Sequence, residues 1–369
     1  ARIAVLEKQQ DAYARLKKSI IHHAVTRGLN PNVSLKDSGV EWIGMIPEHW
    51  IMKRLKDISI LNPQYKRDGV EGVVSYLPME GLRLGALELQ EISFGEGKGK
   101  YTFFENNDLL IAKVTPCFEN GNIAIAQKLR SGMGFGSSEI FVLRVLKDAN
   151  IRYLFYYVQT PSFQGEACTT MCGVGGLKRI SPLFMRQRLI PLPSLSEQQA
   201  IVAYLDEKCA KIDAIIEKQQ TVIEKLKEYK SAVITETVTK GLNPNVSMKD
   251  STLDYCYTLP MNWTEKQIRY LFQLRDEKNY LPLEEVQLLS LYTELGVFPH
   301  GEQEERGNKA VKAEGYKIVH QNDIVVNIIL AWMGAIGMSN YNGVTSPAYD
   351  IYKPQEGVYS KYYHYLFRT

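Results

Sequence analysis

Between Ser196 and Asn245 the chain reads SEQQAIVAYLDEKCAKIDAIIEKQQTVIEKLKEYKSAVITETVTKGLNPN. Apolar residues recur at Leu205, Cys209, Ile212, Ile216, Ile223, Leu226 and Val233, mostly four and three apart, and Gln219 fills the one gap in the row. That period, near 3.5 with Glu and Lys on the remaining positions, describes the seam of a coiled coil. Ser196 followed by Gln199 predicts a capping box at the start. Gly241 stands where a left-handed residue would end the helix, and Pro244 follows. A helix of about 40 residues at ~1.5 Å per residue spans about 60 Å, more than the width of a small domain. Such a helix must run between domains, and its narrow polar-flanked stripe predicts a second helix beside it.

The second constraint is an internal repeat. Gly28-Leu-Asn-Pro-Asn-Val-Ser34 with Lys36-Asp37-Ser38 returns as Gly241-Leu-Asn-Pro-Asn-Val-Ser247 with Lys249-Asp250-Ser251. Pro47 and Trp50 return as Pro260 and Trp263, 213 residues later in each case, and Glu7-Lys-Gln-Gln10 returns as Glu217-Lys-Gln-Gln220. Ser75, Gly81 and Asn107-Asp108 align with Ser290, Gly296 and Asn322-Asp323, and Tyr153 and Thr160 with Tyr362 and Thr369. Residues matching Pro161 to Ile215 have no counterpart after Thr369, so the second copy is expected to be C-terminally incomplete. Near-identical connectors around divergent domains suggest one frame carrying two different readers, whereas a duplicated enzyme would keep its reactive residues in both copies.

The resulting order is a partial helix and linker over 1–45, a first domain over 46–195, the central helix and linker over 196–255, and a second domain over 256–369. Val5, Ala12, Leu16, Ile20 and Ala24 form a helical stripe in the first segment. An antiparallel pairing of residues 1–27 on 215–240 is the expected arrangement. Residues 35–50 read as a polar linker closing on Ile46-Pro47-Glu48-His49-Trp50, with Trp50 and Trp263 as buried anchors. In the first domain, Gly72–Leu77, Asp108–Val114 and Glu139–Val145 have strand character, and Arg152–Thr160 reads as a short amphipathic helix. Ser93-Phe-Gly-Glu-Gly-Lys-Gly-Lys100 reads as a glycine-rich basic hairpin, and Gly173-Val-Gly-Gly-Leu-Lys-Arg179 as a second basic glycine loop. Each is either a tip that touches nucleic-acid phosphates or a plain solvated turn.

Catalytic signatures are missing. The spacing of the first glycine segment is not that of a phosphate-binding loop, and GxSxG and HExxH do not occur. Asn62-Pro-Gln-Tyr65 has Gln where a base-flipping methyltransferase motif carries Pro, and reads as a turn. His22-His23 has no paired carboxylate or cysteine. The five cysteines (Cys117, Cys168, Cys172, Cys209, Cys256) show no metal spacing, which suggests reduced thiols and a cytoplasmic setting. No apolar run reaches the length of a membrane helix. A net charge of +3 permits a nucleic-acid partner without requiring one.

Several segments resemble the DNA-specificity subunits of type I restriction-modification enzymes. They are Leu110-Ile-Ala-Lys-Val-Thr-Pro-Cys-Phe-Glu-Asn-Gly121, Ile190-Pro-Leu-Pro-Ser-Leu-Ser-Glu-Gln198, Gly39-Val-Glu-Trp-Ile-Gly-Met-Ile-Pro-Glu-His-Trp50, Leu288-Leu-Ser-Leu-Tyr-Thr-Glu-Leu-Gly-Val297 and Ser339-Asn-Tyr-Asn-Gly-Val-Thr-Ser-Pro-Ala-Tyr349. The resemblance implies an α+β chain: two mixed α/β target-recognition domains separated by long helices in an antiparallel coiled coil. It also implies a non-catalytic subunit that reads a bipartite asymmetric site in double-stranded DNA. Two modification subunits would carry S-adenosylmethionine and methylate adenine at N6, with restriction and translocase subunits in the full complex, and this chain would hold no cofactor itself. In this family the chain commonly begins near the IPEHW segment and ends with a second full spacer helix, and the present sequence departs from that at both ends. Residue chemistry nominates Lys98, Lys100, Lys113, Thr115, Asn120, Lys178 and Arg179 as DNA contacts in the first domain, and Asn327, Trp332, Ser339 and Asn340 in the second. The alternative function is a coiled-coil scaffold that binds proteins. A stand-alone nuclease or methyltransferase is disfavoured by the missing motifs.

Overall fold

A computed structural model describes residues 2–65, 71–173, 176–253, 256–293, 295–301 and 312–369. The chain divides into two compact units, Ala1–Thr221 and Val222–Thr369. The division falls inside one continuous helix, Leu195–Lys240.

This long helix starts one residue before the expected box. The Ser194 hydroxyl accepts from the Glu197 N–H at 3.3 Å, so Ser194 is the cap. The Glu197 carboxylate, which could have closed a box, instead meets His49 Nε2 at 3.0 Å. The seam is buried at Leu205, Cys209, Ile212 and Ile223, while Val233 is 42% exposed.

In the first unit, helix Arg2–Arg27 runs antiparallel to the long helix. Lys17 reaches Asp213, the Gln10 amide donates to the Ile216 carbonyl at 3.1 Å, and the Gln219 amide donates to Gln9 Oε1 at 3.0 Å. The direction matches the expectation but the span does not: the contacts lie at Asp213–Gln219, and Ile21, Ala24 and Val25 share a core with Ile201, Leu205 and Cys209, upstream of the expected 215–240. Because Gln9 and Gln219 belong to the two copies of the repeated Glu-Lys-Gln-Gln, like residues meet across the pair.

Two four-stranded sheets follow. The first runs Ile123–Ile125, Leu109–Ala112, Ile140–Val145, Ser59–Leu61, all antiparallel. Successive side chains on a strand point to opposite faces. Leu109, Ile111, Phe141 and Leu143 accordingly enter the large core shared with the helices, while Leu110, Ala112, Ile140 and Val142 enter a second core. A strand covered on both faces reads as a continuous apolar run, which is why Leu109–Ala112 does not alternate. The second sheet runs Gln90–Ser93, Val73–Leu77, Met133–Gly136, Thr102–Glu105. Strand Leu189–Leu192 pairs with Ile51–Arg54 just before the long helix begins.

Two expectations change here. The linker after the first helix is a hairpin, with Leu35–Asp37 paired to Met45–Pro47. The basic glycine segment is not a hairpin: Phe94–Gly97 is a single helical turn with a capping box between Ser93 and Glu96. Gly97 is required there because a Cβ would lie 2.1 Å from the Phe135 ring. Asn62-Pro-Gln-Tyr65 is structural, as expected. Asn62 Oδ1 accepts from the Val142 N–H, and Tyr65 packs on Phe94 and Phe103.

The second unit repeats the first sheet: Phe272–Arg275, Tyr349–Pro354, Ile324–Asn327 and Ile336–Met338, all antiparallel. The strand order is the same, and so is the register. Leu109 faces Ile125 as Ile324 faces Met338, and Leu61 faces Leu143 as Leu274 faces Tyr352. The connector is also copied. Gly28 and Gly241 take φ of +75° and +80°, and a Cβ on either would lie 3.3 Å from Cζ2 of Trp50 or Trp263. The Tyr153 hydroxyl donates to the Val25 carbonyl at 3.0 Å, and the Tyr362 hydroxyl to that of Val238 at 2.7 Å.

Candidate nucleic-acid interface

Strand register decides which side chains share an edge. Leu109–Ala112 ends with Ala112 opposite Ile140, so Lys113 lies against Glu139, its N–H donating to the Glu139 carbonyl at 3.0 Å. In the second sheet Gly136 faces Thr102. Lys98 and Lys100 therefore lead into that sheet at the end where Ser137 to Glu139 leave it. Asn120 sits in the turn after Leu109–Ala112, its N–H on the Pro116 carbonyl at 2.9 Å.

The chain then returns to this edge from a distance in sequence. The Ile180 N–H donates to the Lys113 carbonyl and the Thr115 N–H to the Lys178 carbonyl, both at 2.9 Å. The Thr115 hydroxyl donates to the Gly176 carbonyl at 2.9 Å and accepts from the Lys178 N–H at 2.9 Å. Thr115 is thus committed to holding the loop. Within the second glycine segment, Val174 and Gly175 lie outside the described residues. Lys113, Thr115, Lys178 and Arg179, nominated separately, form one cluster, and Lys98, Lys100 and Asn120 join the same rim by register.

The charges on this rim differ in how they are held. Lys98, Lys100 and Lys178 are exposed and have no ion-pair partner among the described residues. Lys113 Nζ lies 5.7 Å from the Phe141 ring centroid. Arg179 is different: its Nε donates to Glu139 Oε2 at 2.9 Å and its Nη2 to Oε1 at 2.9 Å. These hydrogen bonds hold the Glu139 carboxyl below the usual carboxylate range. Glu139 did not stand out in the sequence, because its partner is forty positions away and a lone Glu at a strand start carries no signal.

In the second unit the nominated residues separate. Asn327 ends the strand Ile324–Asn327, and its Oδ1 accepts from the Ile329 and Leu330 N–H groups at 3.0 and 3.2 Å. That turn presents Ile329 and Trp332, 71% and 82% exposed. Ser339 and Asn340 lie at the opposite end of the same strand, where the Asn322 N–H donates to the Ser339 carbonyl. Ser339 is fully buried, and its hydroxyl donates to the Tyr341 carbonyl at 2.7 Å. Ser339 therefore serves its own turn and offers nothing to a ligand, while Asn340 is exposed.

Among the described residues no group of three or more His, Cys, Asp or Glu side chains converges as metal ligands would, and no helix is long and apolar enough to cross a membrane. The arrangement is a basic rim on strand ends, suited to contacting a polyanion.

Residues 47–225 match the family model of the type I restriction modification DNA specificity domain. The chain is 30% identical over 198 residues to the EcoAI specificity subunit of Escherichia coli, covering 53% of this chain and 33% of that protein. It is 34% identical over 161 residues to the EcoEI specificity subunit of Escherichia coli, covering 42% and 27%. It thus spans about a third of the length of these curated relatives or less. A chain from a structure describing complex assembly and conformational transition of the type I R-M system shares the fold, with a TM-score of 0.57 at 15% identity, over 87% of this chain and 79% of that one.

Proposed function

The chain belongs to the type I restriction-modification specificity family, and we propose that it is the non-catalytic subunit that reads a bipartite, asymmetric site in double-stranded DNA. The observation that carries this reading is the structural repeat. The same sheet and the same Gly–Trp connector occur twice, while the strand-end loops that would face a ligand differ in sequence and in charge. A shared frame with unlike tips gives two unrelated half-sites. The first unit offers its basic rim, and the second offers the turn from Asn327 to Trp332 together with Asn340.

In this reading the helices dock two modification subunits, and restriction and translocase subunits join the full complex. S-adenosylmethionine is bound by the modification subunits, which methylate adenine at N6. The modest net charge of +3 fits an assembly in which partners supply part of the phosphate contact.

The test is methylome sequencing of a host expressing the full-length protein with its modification subunit. N6-methyladenine confined to one split motif with a fixed gap is the expected result. A stable complex that leaves no new methylation, and whose DNA affinity does not fall with rising salt, would return the protein to the scaffold alternative.

A further inference from the structure

One side chain on the basic rim is built differently from the rest, and the difference bears on which atoms of DNA it meets. Arg179 is held side-on: Nε and the adjacent edge of Nη2 are taken by the Glu139 carboxylate, at 2.9 Å each. Its Nη1 has no hydrogen-bond partner among the described residues, and the side chain remains 47% exposed. The end of the guanidinium, an N–H from Nη1 and one from Nη2, therefore points away as a free pair of parallel donors in a fixed plane. The backbone on both sides is fixed as well, because Arg179 pairs with Cys172 and Val114 in isolated bridges and Glu139 follows the Ser137 turn.

The geometry points to Arg179 as a reader of a guanine base edge in the major groove, with Glu139 as the residue that positions it. This rests on the DNA-reading function proposed above. Two physical arguments favour a base over a phosphate. First, an arginine paired with a carboxylate carries almost no net charge, so the pair is a poor anchor for a phosphate. Its directional donors remain intact, and guanine presents two neutral acceptors, O6 and N7, side by side. Second, holding the plane in advance lowers the ordering cost of a bidentate contact, which matters for base recognition and little for a point-charge contact. The unpaired lysines Lys98, Lys100 and Lys178 have the opposite character, with full charge and loose geometry, and they suit the phosphates that flank the base. Glu96 and Glu119 are further carboxylates near this edge, and no hydrogen bond or ion pair joins either to Arg179 among the described residues.

The experiment compares full-length wild type with R179A, R179K and E139Q, each co-expressed with the modification subunit and read by N6-methyladenine mapping. Wild type should show a guanine in one half-site, and R179A should relax that one position, lowering discrimination there by about 10- to 100-fold. R179K keeps the charge and loses the fork, so it should relax the same position. E139Q should weaken the preference several-fold and steepen the salt dependence of DNA binding, because it uncovers a positive charge. Uniform loss of methylation in R179A at an unchanged motif, restored by R179K, would make Arg179 a phosphate contact and overturn the assignment. A wild-type complex that is stable and yields no split motif would overturn the underlying DNA-reading proposal and this assignment with it.

Discussion

The two units share a frame and differ in how that frame is covered. In the first, Trp50 is fully buried, and Ile180, Phe184, Ile190, Leu192, Ile201 and Leu205 close the core around it and Leu55. In the second, Trp263 is only partly buried, Ile268, the counterpart of Leu55, is 54% exposed, and Tyr270 is 66% exposed. Strand Ile51–Arg54 is paired, whereas residues 264–267 are not in a strand. The residues that cover Trp50 and Leu55 belong to the stretch Pro161–Ile215, which the second copy does not repeat within this sequence, so burial here follows from what packs over an anchor. An aromatic residue contributes in proportion to the area that its neighbours remove from water.

The largest expected effect is at the covered anchor. Trp50→Ala should destabilise the first unit by about 3–5 kcal/mol. A loss of no more than about 1 kcal/mol in chemical denaturation would show that the covering residues, and not the indole, hold this core. Next come the buried carboxylates. Asp108 and Asp323 have side chains 2% exposed and occupy matching turns, after Asn107 and Asn322 at φ of +70° and +72°. Asp108→Ala and Asp323→Ala should each lower stability by about 1–3 kcal/mol, since each leaves a turn N–H, of Glu105 or His320, without its acceptor, while Arg144 and Arg275 keep Glu105 and Glu277.

A smaller effect depends on pH and in the second unit centres on His364. His364 stands where the first unit has Phe155. Burial, with Arg368 and then Lys361 nearby, pushes its pKa down to about 4. Because the unfolded chain takes up the proton first, stability is full above pH ~6.5 and falls as pH drops toward 4, by on the order of 1–2 kcal/mol. His364→Phe should flatten that slope in urea midpoints measured from pH 7 to 4. An unchanged slope would locate the titration elsewhere. Smallest are the connector glycines: Gly28→Ala and Gly241→Ala should each destabilise by about 1 kcal/mol through the strained positive φ. A clear inequality between them, seen as different melting shifts, would show that the copied geometry is not matched in energy.

Much of this organisation was legible in the sequence. The repeat carries the equivalence of the two sheets, and the period near 3.5 carries the seam of the long helix. Local glycine signals were read less well. Ser93 to Lys100 held a Ser–Glu box three residues apart, and a helical turn won because Phe135 needs the space above Gly97. The nominated residues of the first unit converged because strand register is periodic and follows from alternation. Those of the second separated because Ser339 and Asn327 lie at opposite ends of one pairing, which residue type alone cannot reveal. Glu139 was missed for a related reason: an ion pair across forty positions exists only after the sheets are assembled.

The buried carboxylates are met from different strands. Asp108 is neutralised by Arg144 on Ile140–Val145, but Asp323 by Arg275 on Phe272–Arg275, a position matched in the first unit by Asn62. The negative charge keeps its place in both units, while the cation that meets it stands on neighbouring strands, and Lys353 occupies the second unit's counterpart of Arg144. Removing every cation near such a carboxylate would strand an ion in the core, at about 3–5 kcal/mol, enough to unfold many domains. The site therefore tolerates its countercharge from either of two adjacent strands, and what it requires is a positive charge rather than a particular residue position.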